Sequence, residues 1–132
     1  MTKLAPKTMR VPTASRGLCL YCESDGDVLI AGSKTFERAG YTVERAQGRA
    51  AAEHAVQKNS YDVVILGHTL TRDDRHHLPY MAKKLSKHTQ VVVLHASGKH
   101  PAVDVAIDSR EGEKAVIAAL QSVMEQKLLV AS

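Results

Sequence analysis

Glu23, His68, His95 and Asp108 are the residues whose types could do chemistry together. Each stands at the end of a short apolar run, or one glycine beyond it. The runs are Leu18 to Cys22, Val63 to Leu66, Val91 to Leu94 and Val103 to Ile107. If these are neighbouring strands, two imidazoles and two carboxylates meet in one crevice. Nitrogen and oxygen donors of this kind suit Zn²⁺ or another borderline metal. Glu23 or Asp108 would then orient a histidine from outside the coordination shell. The crevice could hold a small ligand instead, since strand ends of an open α/β sheet are where ligands gather. A plainer arrangement is also open, in which His95 and Asp108 bond to each other and His68 is a loop residue. His95 as a general acid or base is a further option. No nucleophile with a partner is recognisable, so no enzyme is expected.

Other chemistry-bearing groups read as structural. Cys19 and Cys22 have C-x-x-C spacing, which invites a redox or metal pair. They lie inside an expected strand, however, where alternation sends them to opposite faces. A reactive pair normally opens a helix, whose N-terminus lowers the thiol pKa. Buried free thiols are therefore expected. Arg72 to His77 mixes both charge signs and reads as a solvated loop and helix start. Gly98 to Pro101 lacks the several glycines of a phosphate-cradling loop.

The elements that must position the strand-end residues follow from hydrophobic period and punctuation. After the first strand, Asp25 or Asp27 caps a helix over about 27–39, and Gly40 stops it. A second, more polar strand over 41–46 suits a sheet edge. Gly48 starts a turn, and Ala50 to Lys58 is a second helix. The run 62–66 is mostly β-branched and reads as the central buried strand. A third helix covers about 73–87, with Pro79 marking a true start or a kink. Strands 90–94 and 103–107 follow, and Ser109 caps a last helix over about 111–127. Alternating strands and helices imply a parallel sheet with right-handed crossovers. Only eight residues separate Leu94 from Val103, too few for an ordinary helical crossover. That helix is lost, or the last strand runs differently.

Composition bounds the rest. The 132 residues, 44% of them hydrophobic, suggest one domain over 17–132 with a single core. Residues 1–16 read as a disordered leader carrying Lys3, Lys7, Arg10 and Arg16 and no acid. The net charge of +4 belongs to that leader, and the folded part is neutral. Nucleic acid is thus not an expected partner, because binding wants a basic face on the folded domain. Four leader charges would add only a small salt-dependent attraction. The prolines at 6 and 12 spoil an amphipathic targeting helix. No apolar run nears the ~20 residues that span a bilayer. No membrane association and a cytoplasmic location are expected.

In this order of elements the chain resembles a response-regulator receiver domain, over about residues 17 to 127. Leu20 to Leu29 resembles the family's first strand, acidic pair and helix start. Ala39-Gly40-Tyr41-Thr42-Val43 is similar to its entry into the second strand, and Tyr61 to Leu66 to the approach to its phosphorylation site. Val91 to Ser97 resembles its fourth strand. The resemblance implies a flavodoxin-like α/β/α fold with a five-stranded parallel sheet of order 2-1-3-4-5, here with the fourth helix shortened or missing.

Carried over residue by residue, the family's functional positions are altered. The phospho-acceptor falls on Gly67, and the Mg²⁺-holding acidic pair on Glu23 and Ser24. The hydroxyl residue of the fourth strand falls on His95, and the lysine of the fifth near Asp108. Magnesium needs clustered carboxylate oxygens, and phosphoryl transfer needs an acceptor with charge-neutralising partners. The resemblance therefore implies a pseudo-receiver of two-component signalling, independent of phosphorylation and of any cofactor. It would act by protein contact. In receivers the fourth helix, last strand and last helix transmit the signal. With that helix lost, Val105 on the strand and Ile117, Met124 and Leu128 on the helix would form an exposed apolar partner or homodimer site.

Overall fold

The structure, a computed structural model, describes residues 15–96 and 101–131, without the side chains of 127–131. The expected leader thus lies almost wholly outside the described residues. Strands β1 (Leu18–Glu23), β2 (Thr42–Gln47), β3 (Val63–Leu66), β4 (Gln90–Val93) and β5 (Val105–Ala106) form one sheet. Its order is β2-β1-β3-β4-β5 and every pairing is parallel. Helices α1 (Gly26–Arg38), α2 (Gly48–Lys58), α3 (Arg72–Leu85) and α4 (Glu113–Ala131) complete it.

The central strands are apolar throughout because helices cover both their faces. Leu20, Cys22, Val64, Leu66, Val91 and Val93 pack with Ala52 and Ala55 of α2 and Leu78 and Ala82 of α3. Cys19, Tyr21, Val63, Ile65 and Val92 point the other way, to Leu29 and Phe36 of α1 and Val116, Leu120 and Val123 of α4. The fold is therefore three-layered. Both cysteines are buried and free, on opposite faces as alternation requires. Burial raises both thiol pKa values above the ordinary range. Strand β2 is the polar edge, its residues mostly half-buried or exposed.

Local chemistry sets the element ends. Asp25 accepts the Val28 N–H at 3.0 Å and caps α1. Gly40 ends it at φ 105°, a conformation suited to glycine. Thr71 caps α3 by accepting the Asp74 N–H at 3.1 Å. Asp62 pins the start of β1, its Oδ2 accepting the Leu18 N–H at 2.8 Å.

Several expectations are corrected. Pro79 does not start α3; it lies inside a helix that begins at Arg72 and ends at Leu85. Its ring is fully buried, and that packing offsets the missing helix hydrogen bond. Gly48 opens α2 and not a turn before it. The last strand shrinks from 103–107 to Val105–Ala106, and it is parallel. Asp108, not Ser109, is the capping residue there, and it caps a short 3₁₀ turn, Ser109–Glu111, ahead of α4.

The β4–β5 crossover holds no helix among its described residues. Asp104 closes it instead. Its backbone N–H donates to the Val91 carbonyl at 2.9 Å. Its Oδ2 accepts the Val91 N–H at 2.7 Å and pairs with Lys83 Nζ of α3 at 2.7 Å. A side chain thus satisfies the strand amide that a longer β5 would have bonded.

Candidate functional site

The C-terminal pole of the sheet is organised by Glu23, the last residue of β1. Its side chain is fully buried. The Tyr21 hydroxyl donates to Oε2, while Oε1 accepts the Thr69 N–H at 3.0 Å and the Thr69 hydroxyl at 2.6 Å. Every one of these bonds is donated to the carboxylate. No cation bonds to it among the described residues. The carboxylate lies over Gly67, so closely that a Cβ built on residue 67 would overlap its carbon and both oxygens. Glu23 therefore occupies the volume that any side chain at position 67 would need.

A second close fit supports the first. Tyr21, two residues back on the same face of β1, turns its ring under α1. A Cβ at Gly32 would collide with its ring and hydroxyl. The ring also meets Phe36 edge-on, centroids 5.1 Å apart at 78°. Burial, then the bond to Glu23, raises the Tyr21 pKa beyond the ordinary phenol range. Gly32 and Gly67 thus make the space that Tyr21 and Glu23 fill.

Thr69 ties the loops together. Its Oγ1 accepts the N–H groups of Ser24 at 2.9 Å and Asp25 at 3.1 Å while donating to Glu23. Arg75, buried at the first turn of α3, donates to the carbonyls of Leu70 and of His68, the latter at 3.3 Å. The β3–α3 loop is held from both sides.

The expected cluster is only partly brought together. Glu23 and Gly67 meet, but Ser24 is exposed and contributes only its backbone: its N–H goes to Thr69 and its carbonyl accepts from Gln47 Nε2 at 3.2 Å. His68 is exposed, with Nδ1 3.3 Å from Ser109 Oγ. Asp108 turns to Arg110, whose Nη2 lies 2.6 Å from Oδ2 and whose backbone N–H donates to Oδ1 at 2.9 Å. Those bonds hold the Asp108 carboxyl down at about 2, with His95 only a minor electrostatic contributor. Among the described residues, no three His, Cys, Asp or Glu side chains are grouped to hold a metal ion. Val105, Ile117 and Met124 are half-buried and pack against the core. Met124 reaches beneath Gly17 at the foot of β1. The Leu128 side chain lies outside the described residues. Among the described residues, the large apolar side chains that are exposed are Ile30, Tyr80 and Leu85. Among the described helices, none is long and apolar enough to cross a membrane.

Tyr21, Gly32, Thr69 and Arg75 escape a sequence reading. Gly32 alone carries a signal, as a glycine inside a helical pattern, which usually has a packing reason.

No family model matches the sequence, and no curated protein matches it either. Solved structures do. NtrX from Brucella abortus, in complex with ATP, superposes with a TM-score of 0.75 at 15% identity. The match covers 88% of this chain but 28% of that one, so the chain spans little more than a quarter of NtrX. A CheY-like response regulator receiver domain from Methanospirillum hungatei gives 0.69 at 16% identity, covering 83% of this chain and 94% of that one. A receiver-modulated diguanylate cyclase structure from Pelobacter carbinolicus gives 0.70 at 12% identity, covering 86% and 97%. The fold is that of a response-regulator receiver domain, flavodoxin-like with sheet order 2-1-3-4-5.

Proposed function

We propose that this chain is a cytoplasmic receiver-type signalling module that works by protein contact and without phosphorylation. The observation that carries this reading is the Glu23 carboxylate lying over Gly67. Position 67 offers no oxygen to a phosphoryl group, and its space is filled by a buried acid from β1. The Glu23 carboxylate also repels an incoming phosphoryl donor, and among the described residues no cation bonds to it to offset that repulsion. Magnesium would need more carboxylates than the pole offers.

Contact with a partner or a second copy is assigned to the open outer edge of β5 at Val105 and Ala106, with the flank of α4 at Ile117. An unpaired strand edge presents free backbone groups to another chain. Incubation with acetyl phosphate and Mg²⁺, followed by intact-mass analysis, tests the phosphorylation-independent reading. An unmodified mass is expected. An acid-labile phosphoryl adduct would overturn it.

A further inference from the structure

A pocket of about 280 Å³ opens between α1 and α4 beside the pole. Val28, Phe36, Leu94 and Val116 supply apolar wall, and Tyr21 and Glu23 line it with them. Two contacts between lining residues tie its sides together. Thr35 of α1 donates to Glu113 of α4 at 3.0 Å, and His68 meets Ser109 at 3.3 Å. Both acids, Glu23 and Glu113, belong to the lining. Among the described lining residues there is no lysine or arginine. Arg38 stands 3.7 Å from Glu113, but both side chains are about two-thirds exposed, so water screens that pair.

Glu23 makes this more than an apolar hollow. Among the described residues no cation bonds to this fully buried carboxylate, and burial of such a group is costly. Its field is little screened inside the protein and so acts on whatever enters the pocket. The pocket lies at the small end of the ligand-site range, which limits an occupant to a compact body. We propose that the pocket between α1 and α4 binds a small primary amine carrying one compact apolar group, its ammonium held in the field of Glu23 and Glu113. The inference does not depend on whether the module is phosphorylated.

The test is an amide NMR titration of the whole chain with benzylamine, with benzyl alcohol as the uncharged control. Saturable shifts confined to the pocket, at Gly32, Leu94 and Val116, are expected for benzylamine. Its affinity should exceed that of benzyl alcohol by about tenfold, the scale of one charge-assisted contact. Ala31 lines the pocket and is exposed, so Ala31→Leu should fill the space and weaken benzylamine by about tenfold or more without unfolding the chain. Equal affinity for the two probes, shifts centred elsewhere, no saturation, or indifference to Ala31→Leu would each overturn the proposal.

Discussion

Glu23 is one methylene longer than an aspartate, and its carboxylate reaches the space over Gly67. Tyr21 needs the matching space at Gly32. Alanine is ordinarily the better helix residue, by about 1 kcal/mol. At Gly32 the order should reverse: Gly32→Ala should destabilise by about 1–3 kcal/mol in urea unfolding, through the collision with Tyr21. Asp108 offers a second check at this scale. Its carboxyl is depressed to about 2 by Arg110, so its bonds are present at neutral pH and above the ordinary carboxylate range, and they are lost as pH falls through that value. Arg110→Ala should raise it part of the way back toward about 4, read by carboxyl NMR titration, because the residue-110 backbone N–H remains. These orientations were not legible in the sequence. Strand ends could be placed from apolar runs, so Glu23, His95 and Asp108 were identified by position. Which way each side chain turns depends on neighbours far along the chain, such as Thr69 for Glu23.

At the scale of elements, the two pole loops are joined through one hydroxyl. Thr69→Val keeps the shape and removes the acceptor for the Ser24 and Asp25 amides and the donor to Glu23. It should cost about 1–3 kcal/mol and speed hydrogen exchange at those two amides. Asp104→Ala should likewise free the Val91 N–H and speed its exchange, while leaving exchange in β1 unchanged. The order of strands and helices is legible, because four apolar runs and one more polar strand, the first four of them separated by helical patterns, leave few arrangements. The last strand is shorter than its apolar run suggests. Val103 and Ile107 are apolar enough to extend it, but Val103 packs into the core and only Val105 and Ala106 pair with β4. Pro79 lies within α3 and does not start it, because the ring is buried in the interior, which a rule weighing only the lost hydrogen bond does not register.

Across the whole molecule, the sheet has the receiver fold, and its C-terminal pole is packed and internally bonded around Glu23. Added Mg²⁺ should therefore leave the thermal unfolding midpoint unchanged, whereas a ligand at 100 times its Kd would add about 2.7 kcal/mol. The central claim is that Glu23 fills the place of a side chain at 67. A double-mutant cycle between Glu23→Ala and Gly67→Ala, followed by urea unfolding, tests it most directly. The cost of Gly67→Ala should fall by about 1–3 kcal/mol once Glu23 is truncated, because the new Cβ then enters vacated space. Strictly additive costs would contradict the account, for they would mean that the two residues do not share that volume.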